Sequence, residues 1–207
     1  MRALNTAATG MQAQQLNVEV IANNIANMNT TGFKRQRAEF QDLLYQNVER
    51  MGVTSSDAGT IVPTGVQVGV GVKAGSVYRV TEQGGIIQST NAYDVAIQGE
   101  GYYIVQMPDG SAPQDVGAFE LARFVNPAGL EAIGDNLFLE TPASGTANRG
   151  QPGSVGFGTI QQGFLETSNV NAVTEISALI TAQRAYEMNS KVITTTDEML
   201  RTTSNLR

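Results

Sequence analysis

From Leu4 to Met28 the chain reads LNTAATGMQAQQLNVEVIANNIANM, and apolar residues recur in it every seven positions. One row holds Leu4, Met11, Val18 and Ile25, and a second row, three residues further on, holds Ala7, Gln14, Ile21 and Met28. Two such rows form the apolar seam of a coiled-coil helix. We therefore predict an N-terminal helix over residues 1–32, although Gly10 lowers helix stability by about 1 kcal/mol relative to alanine.

The other end of the chain repeats this pattern. Its apolar row holds Ala172, Leu179, Tyr186, Ile193 and Leu200, and the second row holds Ile176 followed by the polar Gln183, Ser190 and Asp197. A single stripe of this kind usually packs on its own globular core. Two stripes with polar members at opposite ends instead indicate helices that pair with each other and leave surface for neighbouring subunits. We predict a C-terminal helix over 167–207, paired with the first as a coiled coil.

The segment between the helices has the pattern of strands and turns. Valines alternate with other residues from Val66 to Val72, which is typical of a strand with one buried face. Further strands are predicted at 76–80, 86–89, 95–98, 102–107, 121–124 and 136–140. Turns rich in glycine and proline separate them. The sequence thus predicts an α+β protein, with a connecting arm over 33–75 and a β-rich outer domain over 76–166.

The composition removes most catalytic chemistry. The chain of 207 residues has no cysteine and no histidine, so it lacks a thiolate nucleophile and the usual general acid–base group. We predict neither an enzyme nor a cofactor or metal site. The net charge of −6 argues against nucleic acid as a partner. An apolar run of about 18 residues is absent, so membrane insertion is not expected, and the polar N-terminus does not read as a cleaved signal.

A cluster of asparagines marks the end of the first predicted helix. Asn29 and Gly32 fit a helix C-cap, because both residue types tolerate the left-handed conformation. Asn23 and Asn24 lie one to two turns earlier, so a simple cap does not explain them. We interpret these two side chains as hydrogen-bonding groups between the subunits of an assembly.

The run IANNIANMNTTGFKR over residues 21–35 resembles the N-terminal signature of the flagellar rod, hook and hook-associated axial proteins. The matching motif residues are Asn23, Asn24, Asn27, Thr31, Gly32 and Phe33. Residues 168–171 and 183–191, the latter with Arg184 and Tyr186, resemble the C-terminal motif of the family. Residues 94–103 resemble its central block, so the resemblance covers most of the chain.

Within that family, residues 38–46, 55–72 and 130–138 are most similar to distal rod subunits. The resemblance implies subunits that meet head-to-tail in a rigid hollow helical drive shaft, which transmits motor torque to the hook and serves as an export channel. The implied partners are further copies of the chain, proximal rod proteins, the hook protein and envelope ring proteins. The implied location is the basal body, across the periplasm and outer envelope, after export by the flagellar type III apparatus.

The resemblance gives two sets of residues a role in assembly. The predicted inner-core interface consists of Leu4, Met11, Val18, Ile21, Ile25, Met28, Ile176, Leu179, Tyr186, Ile193 and Leu200. Residues 51–65 correspond to the stretch that separates distal rod from hook proteins, and we predict there an arm that stiffens the tube. Its marker residues are Met51, Ser55, Gly59, Pro63 and Gly65.

Alternatives to the distal rod stay open. A proximal rod or hook protein belongs to the same class, whereas a β-rich binding module or a peptidoglycan hydrolase would show a ligand pocket or paired catalytic carboxylates. Related chains also continue after Pro108-Asp109-Gly110 into further strands. Either the β domain is trimmed here or residues are missing from the sequence. The second alternative is favoured, because removing strands would expose sheet edges.

Overall fold

The computed structural model describes residues 2–49, 65–105 and 119–205. Two long helices, α1 (Arg2–Ala26) and α2 (Ala172–Asn205), lie at the two ends. The strands described between them are β1 (Gln36–Asp42), β2 (Tyr45–Glu49), β3 (Val66–Gly69), β4 (Val72–Arg79), β5 (Ile86–Gln88), β6 (Val95–Gln98), β7 (Tyr102–Tyr103), β8 (Leu121–Arg123), β9 (Glu131–Gly134), β10 (Leu137–Leu139), β11 (Asn148–Gly150), β12 (Thr159–Gln162) and β13 (Phe164–Glu166). The predicted α+β class is confirmed.

One compact unit comprises Met1–Asn23, Arg37–Val77 and Val173–Arg207. In it β2 pairs antiparallel with β3, and β1 pairs with β4. Helix α1 contacts the connection between β3 and β4, where the Val72 N–H donates to the Thr9 hydroxyl at 3.4 Å. Gly71 in this connection has a φ of +136°, and a Cβ at Gly71 would overlap the Thr9 side chain. A glycine is needed there, and it interrupts the continuous strand predicted from Val66 to Val72.

The other unit comprises Asn24–Gln36 and Tyr78–Ala172. Its strands form small antiparallel pairs, β5 with β13, β6 with β12 and β9 with β10, and a three-stranded sheet in the order β11, β8, β7. The buried apolar residues are Ala96, Ile97, Leu121, Ala122 and Leu130. The Tyr102 ring meets Phe124 and Phe138 edge-on, each with 5.9 Å between ring centroids. The edge-on contacts add to the burial of this aromatic cluster.

Helix α1 is shorter than the predicted helix over 1–32. After Ala26 the chain makes a series of turns, in which the N–H groups of Asn27 and Met28 donate to carbonyls three residues back. Gly32 then adopts a φ of +68°. The asparagine-rich sequence favours such turns over further helix, because asparagine side chains compete for backbone groups. Met28 therefore lies outside the helix and is exposed.

The buried side of α2 also differs from the side that the apolar pattern predicts. The least exposed row along the helix contains Glu175, Ala182 and Asn189, spaced by seven residues. Ile176, placed in the predicted seam, is 48% exposed, and Tyr186 and Leu200 are exposed to similar fractions. Small and polar residues thus face the rest of the unit, and several large apolar residues of α2 face outward.

Candidate functional site

A polar clasp joins the two ends of the unit formed by Asn24–Gln36 and Tyr78–Ala172, and it contains Asn24, Gly32 and Phe33 of the motif. We define the clasp as Asn24, residues 32–36, residues 80–85 and residues 166–169. At its first contact the Asn24 amide donates to the Gln36 carbonyl, and the Gln36 N–H donates to Asn24 Oδ1, both at 2.8 Å. Asn24 is only 1% exposed. Its amide therefore satisfies both backbone groups of a residue twelve positions away.

This contact corrects part of our interpretation of the asparagines. Asn24 was assigned to hydrogen bonding between subunits, but its amide is buried and is engaged within the chain. Asn23 lies on the exposed side of α1, so the two neighbours point in different directions. The physical reason is the turn after Ala26, which returns the chain to the end of the helix and presents the Gln36 backbone to Asn24.

The second contact of the clasp is Asn169, which precedes α2. Its Oδ1 accepts the Arg35 N–H at 2.7 Å. Its Nδ2 donates to the carbonyls of Val80 and Glu82, both at 3.0 Å. One side chain therefore ties the chain that leaves α1, the chain that follows β4 and the chain that leads to α2. Sequence reasoning did not single out Asn169, although it lies within residues 168–171, which resemble the C-terminal motif.

An ion pair closes the clasp. Lys34 Nζ lies 2.6 Å from Glu166 Oε1, and both side chains are 20% exposed. Lys34 also donates to the Glu82 carbonyl at 3.0 Å, and Glu166 accepts the Gly84 N–H at 2.8 Å. Each charge therefore has a second, backbone partner. A pair that is largely removed from water and so fully hydrogen-bonded fixes geometry better than a surface ion pair.

Gly32, Phe33, Thr31 and Asn27 of the N-terminal motif make further hydrogen bonds, the first three through their backbone and Asn27 through its side chain. The Gly32 N–H donates to the Glu166 carbonyl at 2.9 Å, and the Asn169 N–H donates to the Phe33 carbonyl at 3.3 Å. The Thr31 carbonyl accepts from the Asn136 amide at 3.3 Å. The Asn27 side chain accepts from the Thr30 hydroxyl at 3.2 Å. The motif thus builds a turn whose backbone is held from several sides.

The terminal helices provide the second part of the candidate site. They approach each other at Gly10, where a Cβ would lie 2.8 Å from Asn189 Nδ2. The glycine that weakens α1 therefore permits a close contact between helices. Nearer the start of α2, residues of both helices line a groove of about 680 Å³. Its lining comprises Gln14, Asn17, Val173, Thr174, Ser177, Ala178, Thr181, Ala182 and Ala185.

The predicted interface residues differ in exposure. Ile21 is buried, and Leu4, Met11, Val18, Ile25, Leu179 and Ile193 are half-buried. Met28, Ile176, Tyr186 and Leu200 are exposed, as is Arg184 of the C-terminal motif. The set is therefore divided between residues that already have neighbours in the chain and residues that lie open on its surface.

Of the arm residues, Met51, Ser55, Gly59 and Pro63 lie outside the described part of the chain, and Gly65 directly precedes β3. The strands on either side are informative. Glu49 at the end of β2 pairs with Val66 at the start of β3, so both ends of the segment are held side by side. Leu44, Val48, Val66 and Val68 of this ladder region are exposed.

Catalytic and membrane features were also sought in the described ranges. Across residues 2–49, 65–105 and 119–205, the acidic residues do not cluster in a way that could hold a metal ion. Within those same ranges, neither helix combines the length and the apolar character that a bilayer crossing requires.

Comparison with known proteins agrees with this geometry. Residues 4–34 match the family model described as flagella basal body rod protein, and residues 161–206 match the model described as flagellar basal body rod FlgEFG protein C-terminal. The flagellar basal-body rod protein FlgG of Caulobacter vibrioides is 54% identical over an alignment of 261 positions that covers 100% of both chains. The proteins of that name from Agrobacterium fabrum and Borreliella burgdorferi are 44% and 42% identical, covering 96% and 100% of this chain and 97% and 99% of their own.

The alignment with the Caulobacter protein is longer than the 207 residues of this chain, although it covers both proteins entirely. The relative therefore has internal residues without a counterpart here, as expected from the comparison of strands after Pro108-Asp109-Gly110. Both motif-bearing ends are nevertheless matched, and the two family models together cover most of both terminal helices. The chain belongs to the flagellar basal-body rod protein family.

Proposed function

We propose that this chain is a structural subunit of the flagellar distal rod, and that its subunits polymerise head-to-tail into a rigid hollow helical tube. The observation that carries the proposal is the open apolar surface of α2, a 34-residue helix that spans about 51 Å. Val173, Ile176, Ile180, Met188 and Met199 are among its exposed side chains. A surface helix normally turns such residues inward, so their exposure indicates contacts with other molecules.

In this proposal the terminal helices form an inner-core domain, over 1–32 and 167–207, and pair as a coiled coil in the assembled tube. The contact between Gly10 and Asn189 supports close pairing. The exposed members of the predicted interface, such as Ile176 and Leu200, would then pack against neighbouring subunits. The β-rich outer domain, over 76–166, would be linked to this core through residues 33–75. The clasp would keep the chain entering and leaving the β strands in one fixed arrangement under torque.

The tube would transmit motor torque to the hook and enclose a channel for exported proteins. Its partners would be further copies of the chain, proximal rod proteins, the hook protein and the surrounding envelope rings. It would lie in the basal body across the periplasm and outer envelope, after type III export without a cleaved signal. The names of the matched relatives support the basal-body location.

The segment containing Met51, Ser55, Gly59, Pro63 and Gly65 would act as the arm that stiffens the tube. Support comes from the antiparallel pairing of β2 with β3, which anchors both ends of the segment together. A two-stranded ladder with exposed aliphatic residues is marginally stable alone, so neighbouring subunits would cover it. Removing residues 51–60 should leave the monomer stable but yield curved or flexible polymers. Straight polymers of unchanged bending stiffness would contradict this role.

Complementation tests the proposed function directly. The chain, expressed in a motile bacterium that lacks its own distal rod protein, should restore a rod, a hook and swimming. A variant with Ile176→Asp and Ile180→Asp should be exported but should not extend the rod. Gln12→Asp, at an exposed polar position of α1 away from this face, serves as the control and should restore motility. Cells that export the chain but complete no rod, or that form only a curved, hook-like product, would refute the proposal.

A further inference from the structure

The start of α2 carries two different open faces, an aliphatic ridge and a groove of small residues, which meet at Val173. Successive residues of an α-helix are about 100° apart around the axis, so Ile176 and Ala178 point about 160° away from each other. Ile176 belongs to a ridge of large aliphatic residues that also contains Val173 and Ile180. Ala178 belongs to the groove of small residues between α1 and α2. Both features occupy the same two to three turns of the helix.

The ridge is apolar and accessible. Val173 is 79% exposed, Ile176 48% and Ile180 46%. They follow one another at spacings of three and four residues, so they form one continuous row on the helix surface. A row of this spacing is the ridge that helices insert between the side chains of a partner helix.

The groove has the opposite shape. On α2 it is lined mainly by serine, alanine and threonine, and Gln14 and Asn17 of α1 form its other wall. The Thr181 hydroxyl, on the wall of the groove, donates to the Ser177 carbonyl of its own helix at 2.9 Å. That hydroxyl proton is therefore already used, and the methyl group of Thr181 is free to pack against an apolar partner. The groove can accept large aliphatic side chains without leaving this donor unpaired.

Charge favours a second copy of the chain as the occupant. Between Val173 and Gln183 the one charged residue is Glu175, and it is buried. Copies of a chain with a net charge of −6 repel each other, so they meet most readily through faces that carry no exposed charge. Both the ridge and this part of the groove meet that condition, as the cores of protein interfaces commonly do.

We propose that the ridge of Val173, Ile176 and Ile180 on one subunit packs into the groove around Ala178 and Thr181 on the next. The inference rests on the proposed function and specifies its lateral contact. Because Ile176 and Ala178 point in nearly opposite directions, each subunit uses the ridge toward one neighbour and the groove toward the next. Such a heterologous contact does not close on itself in a pair, so it propagates into a ring or a helical polymer.

Disulfide cross-linking tests this contact, because the chain has no cysteine of its own. Four double variants combine Ile176→Cys or Ile180→Cys with Ala178→Cys or Thr181→Cys, which covers the unknown axial offset between neighbours. Each chain is allowed to polymerise, is oxidised, and is separated under denaturing conditions without reductant. We expect at least one double variant to give a ladder of dimers, trimers and higher species, while every single variant stays monomeric. The two cysteines of one helix point apart and cannot bridge each other.

The outcomes separate the two proposals. Electron microscopy of the cysteine-free chain first establishes whether polymers form, and their absence would refute the proposed function itself. Polymers that form without a ladder in any of the four variants would overturn the ridge-and-groove contact alone. A strong dimer from Ala178→Cys by itself would show a symmetric contact and would also overturn it. In assembled polymers, a bulky maleimide should label the cysteine of Ala178→Cys at least tenfold more slowly than the cysteine of Gln12→Cys on α1. Equal labelling rates would contradict burial of the groove.

Discussion

Replacing Asn24 with alanine tests whether the clasp, and not a contact between subunits, explains this motif residue. The change removes both 2.8 Å hydrogen bonds to Gln36. It leaves a backbone N–H and a carbonyl without their partner, in a place where the original side chain is 1% exposed. Each unsatisfied buried group costs about 1–3 kcal/mol, so for two groups the free energy of unfolding should fall by roughly 2–6 kcal/mol.

The assay is urea unfolding of the purified chain under conditions where it stays monomeric. Gln12→Ala, at an exposed position of α1, is the matched control and should change stability by less than about 0.5 kcal/mol. Asn24→Asp should also destabilise the chain, because a carboxylate cannot donate to the Gln36 carbonyl. If Asn24→Ala left the monomer as stable as the control while blocking polymerisation, the clasp assignment would be refuted and the residue would belong to a subunit interface.

Other predictions concern the helices, one glycine and one tyrosine. Leu179→Asp should prevent filament formation but leave the unit of Asn24–Gln36 and Tyr78–Ala172 folded. A carboxylate without a partner costs several kcal/mol at every subunit of the filament. Normal rods from this variant would count against the prediction. Gly71→Ala should lower stability by about 1–3 kcal/mol and by more than Gly134→Ala, which shares the positive φ but has open space around it. In a verified monomer, amide exchange should show weaker protection across residues 4–20 than around Asn24, which the contact with Gln36 holds, since helices without their partners lose most of their stability. Burial raises the pKa of Tyr102, so its neutral form is favoured in the folded state. The free energy of unfolding should therefore fall as the pH rises above about 10. In Tyr102→Phe it should fall less steeply over the same pH range.

The existence of both helices and the α+β class could be predicted because long periodic stretches carry a strong signal. The side of α2 that packs within the chain could not be predicted. A search for apolar rows selects Ile176 and Tyr186, but the chain turns Ala182 and Asn189 inward. In a subunit of an assembly the most apolar face is free to serve contacts with other molecules, so hydrophobic periodicity identifies the helix without fixing which side packs within the chain.

The short strands were predicted unevenly for a related reason. Strands β5 and β6 coincide with apolar runs and were predicted, whereas β11 is three residues long and reads Asn-Arg-Gly. Its pairing with β8 is determined by partners far along the chain, which local pattern does not encode.

Only part of the clasp could be predicted from the sequence. The motif drew attention to Asn24, but the partner of Asn24 is the backbone of residue 36, which any residue type except proline would supply. Lys34 and Glu166 lie far apart in the chain and belong to no shared local pattern. Contacts of this kind depend on the turn that follows α1, and hence on tertiary structure.

The central claim is that this chain polymerises into a rod, and electron microscopy of the purified chain at rising concentration tests it most directly. We expect straight tubes of uniform diameter with a central channel, and we expect Leu179→Asp to abolish their formation. Curved, flexible tubes would place the chain with hook proteins instead. A chain that stays monomeric at every concentration, while an authentic distal rod protein polymerises beside it under the same conditions, would contradict the account.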